Sequence, residues 1–78
     1  MRNNAPPELL EAESQVREMN LRIDAQRQLI ENLALDGHDI TSAKIVLDSL
    51  LTSLFLCVRE RERLRSIWKA ESTEVNAA

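Results

Sequence analysis

His38 is the residue best placed by type to move a proton near neutral pH, and Asp36 and Asp39 lie close enough in sequence to orient it. A general base or phospho-acceptor would be built this way. The chain supplies little to work with it. Cys57, the single cysteine, lies more than four helical turns further on, and no second histidine exists to form a metal pair. Thr41 and Ser42 are nearer, but each has a simpler role at the start of a helix. The same stretch also reads as a turn. Gly37, the only glycine, can take the left-handed conformation just past a helix end. Thr41 can cap the next helix, with Asp39 the other candidate. With Thr41 as the cap, Ile40 and Ile45 stand at hydrophobic-staple spacing. The turn is the favoured reading, and no catalytic, metal-binding or cofactor-binding residue is expected.

Two further groups could do chemistry. In "RERERLRSIWK", Arg59–Lys69, the pairs Arg59/Arg63 and Arg65/Lys69 each share a helix face and could hold a phosphate backbone. Glu60 and Glu62 interrupt that run, and the net charge is −3, without the basic excess of a nucleic-acid binder. RNA binding through Arg59, Arg63, Arg65 and Lys69 is therefore the second reading. Cys57 falls on an apolar helix face and reads as a buried thiol. In the first helix, Glu13–Arg17 and Glu18–Arg22 have the order of surface ion pairs rather than of paired catalytic carboxylates.

The elements that must carry these residues are two helices. Leu9, Ala12, Val16, Met19, Ile23, Gln26, Ile30 and Leu33 step by alternating threes and fours, and so do Ala43, Leu47, Leu50, Leu54, Cys57, Arg61, Leu64 and Trp68. These are heptad seams, each with one polar member, Gln26 or Arg61. Such a residue can fix register; Arg61 can equally snorkel to solvent. If it stays inside, Glu13 and Glu18 are its candidate partners. Pro6 and Pro7 open the first helix.

The expectation is an all-α chain: an antiparallel two-helix hairpin with helices at about 6–36 and 42–70 and frayed termini at 1–5 and 71–78. Charge agrees with that orientation. Glu8, Glu11 and Glu13 open the first helix, and the basic run closes the second.

A single seam gives two long helices a small core. The second helix is apolar beyond its seam: Val46, Leu51, Phe55 and Val58 widen the face to about half the circumference. Leu29 and Leu35 add to the first. The surplus predicts a homo-oligomer, with a dimeric four-helix bundle favoured. Leu47, Leu50, Leu51, Leu54, Phe55 and Val58 are the expected interface. The expected function is a non-catalytic protein–protein interaction or regulatory module with an unidentified protein partner. Ile45–Val58 is fourteen residues long and contains Asp48, short of the ~20 apolar residues of a membrane span. No membrane contact is expected, and a cytoplasmic location fits a lone cysteine.

The segment Ala25–Leu50 resembles a group of short α-helical proteins of alphaproteobacteria that have no assigned function. The matching positions are Gln26, Arg27, Ile30, Leu33, Gly37, His38, Asp39, Ala43, Leu47 and Leu50. The resemblance covers about a third of the chain, implies a helical hairpin and supplies no activity. In architecture alone, the chain is also similar to the RNA-binding hairpins of the Rop type that dimerise into four-helix bundles.

Overall fold

The structure is a computed structural model that describes the backbone of residues 5–77 and the side chains of residues 5–72. Two helices make it up: α1, Pro7–Leu35, and α2, Thr41–Ala77. Glu13 meets Arg65, and Gln26 meets Ala43, so the helices run antiparallel as a hairpin.

Pro6 stands just outside α1 in extended conformation, with φ −65° and ψ 153°. Pro7 takes the first helical position, where an amide hydrogen would have no partner. The Pro6 carbonyl accepts from the amides of Leu9 and Leu10 at 3.0 and 3.1 Å, so the entry is secured by backbone rather than by a side-chain cap.

α1 ends in a Schellman motif. Gly37, at φ 79°, donates its amide to the Ala34 carbonyl, and His38 donates its amide to the Leu33 carbonyl at 2.9 Å. At the start of α2, the Ile40 carbonyl accepts the first helical bond, from Lys44. Asp39 Oδ1 accepts from both the amide and the hydroxyl of Thr41, at 2.9 and 2.7 Å. Of the two candidate caps, Asp39 is therefore the acceptor and Thr41 its donor. The helix begins one residue earlier than a Thr41 cap requires, which removes the staple spacing as counted. Ile45 is 61% exposed, and nothing in the structure explains its place there.

The second helix differs more from expectation at its other end. It continues to Ala77 rather than stopping near residue 70. "ESTEVNA" contains neither proline nor glycine, and its β-branched residues cost only tenths of a kcal/mol each, so nothing stops the helix. The expected fraying of residues 1–4 and 78 falls outside the described residues.

All sixteen seam positions are buried or half-buried. On α1 every other side chain from Pro7 to Leu35 is exposed except Glu13, which is half-buried. The most enclosed residues are Leu9, Ala12, Val16, Ile23 and Ala43. Four of these five lie on α1. The α2 seam from Leu47 onward is only half-buried, so the inner face of the longer helix is incompletely covered by the shorter one.

Candidate functional site

His38 lies in the loop between the helices with its side chain exposed. Its amide completes the α1 terminus, and Asp39 beside it is committed to Thr41. Those two bonds hold the Asp39 carboxyl below its ordinary range. Asp39 therefore serves the helix start and does not orient His38. No three metal-ligating side chains converge among the described residues, and no cleft encloses this turn.

Gln26 shows what the polar member of the first seam does. Its Nε2 donates to the Ala43 carbonyl across the hairpin at 2.9 Å. A carbonyl has a second lone pair beyond its intrahelical bond, and the short Ala43 side chain leaves it reachable. Gln26 thereby sets the register of the two helices near the turn.

At the far end the partners differ from expectation. Glu13 pairs with Arg65 at 3.0 Å, not with Arg61. Arg61 sits on the seam, and its guanidinium turns to Glu62 on its own helix at 2.8 Å. Arg65, four residues on, projects from the flank toward Glu13, where a long side chain can cross without entering the seam. Glu18 makes no ion pair with Arg61.

The four expected phosphate-binding cations are largely engaged. Arg63 grips Glu60 through two bonds, at 2.7 and 3.0 Å. That grip lowers the Glu60 carboxyl below its ordinary range and raises the guanidinium of Arg63. Arg65 holds Glu13 and also Glu62, at 3.3 Å. Arg59 lies over the Phe55 ring, 5.7 Å from its centroid. Lys69 makes no ion pair among the described residues. The basic run is thus a chain of internal pairs more than a free patch.

The six expected interface residues separate into two groups. Leu47, Leu50 and Leu54 belong to the seam and face α1. Leu51 and Phe55 stay outside, Phe55 60% exposed, and Val58 is half-buried beside them. Leu51, Phe55 and Val58 are spaced by four and three residues, so they form one stripe along a single flank of α2. The other large exposed apolar residues of α2 are the neighbours Ile45 and Val46, then Leu56 and Ile67 about three turns apart, and they form no such stripe. Cys57 is half-buried on the seam.

No family model, curated protein or solved structure matches the chain. The reading of its function therefore rests on its own side chains. One of them bears on membranes. The expected limit of fourteen apolar residues applied to the stretch Ile45–Val58, but α2 over Thr41–Ser72 is long and apolar enough by composition to cross a membrane. Lys44 and Asp48 lie within its apolar part.

Proposed function

We propose that this chain is a non-catalytic protein-interaction module that works as a self-associating helical hairpin, a dimer forming a four-helix assembly. The observation that carries the reading is the outward stripe of Leu51, Phe55 and Val58. It leaves a large aromatic ring in solvent on a helix whose inner face is already assigned to α1. A lone exposed leucine is ordinary, whereas adjacent exposed apolar side chains at heptad spacing are what one helix offers another. The two engaged aspects of the turn, the Gly37 terminus and the Asp39–Thr41 bonds, favour a structural role there over a catalytic one.

The resemblance to short alphaproteobacterial hairpin proteins belongs to the same proposal. Of its ten positions, Gln26, Ile30, Leu33, Ala43, Leu47 and Leu50 lie on the seam. Gly37, His38 and Asp39 form the turn, which leaves Arg27 alone outside. A cytoplasmic location goes with this reading. Insertion of α2 in a bilayer would bury Asp48, at a cost of about 2.5–3.5 kcal/mol near the centre, and would take from α1 the seam it packs on.

Sedimentation equilibrium tests the reading. The wild type is expected above monomer mass, with Leu51→Glu and Phe55→Glu shifted to monomer and still helical. Unchanged mass in both variants refutes it. RNA binding is the weaker reading because Arg63 and Arg65 are already neutralised by carboxylates. It requires affinity that falls steeply with salt and is lost in Arg59→Ala/Arg63→Ala.

A further inference from the structure

We infer that the occupant of the Leu51–Phe55–Val58 stripe is a second copy of this chain, bound with its α2 antiparallel to the first, so that the two α2 helices form the centre of the assembly. The inference rests on the self-association proposed above and names its geometry.

The positions one residue past the α2 seam include Lys44, Asp48, Leu51, Phe55, Val58 and Glu62, again at alternating fours and threes. Arg59 borders this row. Along the helix the order is base, acid, apolar centre, base, acid. On α1, Glu13 occupies the equivalent row, one past its own seam, and it pairs with Arg65 of the α2 row. The two rows therefore lie on the same side of the hairpin. The middle of the α1 row is Arg17, Asn20, Asp24, Arg27 and Glu31, with no apolar side chain. Apart from Leu10 and Ala34 at the two ends of the α1 row, the apolar surface on this side comes from α2, in a strip the width of one helix with a charged stretch of helix beside it.

The charges around the strip are open to a partner. Lys44, Asp48 and Arg59 make no ion pair among the described residues. Glu62 presents Oε2 to Arg61 and Arg65, and no donor among the described residues reaches its Oε1. A twofold axis at the level of residue 53, midway between Leu51 and Phe55, reverses the order in the second copy. Leu51 then faces Phe55 of the second copy, Lys44 faces its Glu62, and Asp48 faces its Val58, one residue short of its Arg59. The in-register charged pair is opposite in sign and occurs twice. A parallel arrangement in register would set Lys44 against Lys44 and Glu62 against Glu62, so the same pattern that favours the antiparallel pairing opposes the parallel one. Within one chain Lys44 and Glu62 are separated by about 27 Å of helix, so any contact between them is between copies.

The test mixes isotopically light and heavy chains, treats them with a zero-length carbodiimide, and maps cross-linked peptides by mass. Lys44–Glu62 amides joining a light to a heavy chain are expected. In sedimentation equilibrium Lys44→Glu is expected to weaken the dimer on the order of tenfold, and Lys44→Glu/Glu62→Lys to restore it to within about threefold. Circular dichroism checks that both variants stay helical. A dimer that is insensitive to Lys44→Glu, or cross-links only through other pairs, overturns the antiparallel geometry and leaves self-association standing. A wild-type chain that sediments as a monomer overturns the self-association itself.

Discussion

Gln26 reaches across the hairpin to the backbone of Ala43, a residue only three positions into the second helix. The bond is made to main chain, so it reports where α2 sits along α1 rather than which side chain α2 carries. One apolar seam can slide by a heptad with little loss of packing. A directional bond near the turn cannot.

Gln26→Ala is expected to lower stability by about 1 kcal/mol, the net worth of a typical protein hydrogen bond. Gln26→Leu should melt at a higher temperature than Gln26→Ala, because the Ala43 carbonyl keeps its helical partner and the seam gains apolar surface. Thermal unfolding of the three chains at one concentration checks both. A Gln26→Ala chain as stable as wild type would show that the bond does no work.

Gly37→Ala is expected to cost about 1 kcal/mol. An added Cβ at this position meets nothing within 4 Å, so the loss comes from the positive φ alone. Gly37→Asn, which tolerates that conformation better, should lose less. Denaturant melts of the two variants separate backbone strain from steric clash.

Leu9→Ala should destabilise by about 2–5 kcal/mol, since Leu9 is 1% exposed. Leu21→Ala should stay within about 0.5 kcal/mol, since Leu21 is 69% exposed. Both residues are leucines on the same helix, so the contrast isolates the seam. Equal losses would contradict the burial pattern.

Acid should remove the contribution of Asp39. Its carboxyl is lowered from its ordinary value of 3.8 by the amide and then the hydroxyl of Thr41. A lowered carboxyl stabilises the fold above its unfolded-state value and loses that contribution as pH falls through the folded-state value. Wild type should therefore melt above Asp39→Ala at neutral pH, and the two should converge as pH drops below about 4. A gap that stays constant down to strong acid would assign the effect to something other than the ionised carboxylate.

His38→Ala should leave the melting temperature unchanged, because its amide serves the helix terminus and its side chain is exposed. A clear shift in thermal unfolding would show that the imidazole has a structural partner.

The seam was readable from spacing because a hairpin buries one stripe per helix, so periodicity and burial coincide along the whole length. That holds from Leu9 to Leu33 and from Ala43 to Trp68. Features that depend on a single residue were less legible. Thr41 and Asp39 are both good caps by type, but the helix starts at the Ile40 carbonyl between them, and Asp39 accepts from Thr41 from one residue outside that position. Arg61 is the polar seam member by spacing, yet the cross-hairpin pair belongs to Arg65, because a guanidinium crosses between helices more easily from the flank. The end of α2 carries no stop signal, and the missing proline or glycine was itself the available clue. Among the expected interface residues, the split between Leu47, Leu50 and Leu54 inside and Leu51 and Phe55 outside needs only the seam, applied one position at a time.

With no third element among the described residues, the molecule has a rod-like outline of 64 × 19 × 14 Å and a radius of gyration of 18.1 Å. A globular chain of this length would have a radius near 11–12 Å. Frictional drag follows length more than mass, so a single hairpin would migrate through a porous matrix like a considerably heavier sphere. Elution volume would then imitate pairing where there was none, whereas scattered light and equilibrium sedimentation weigh the particle without regard to its outline.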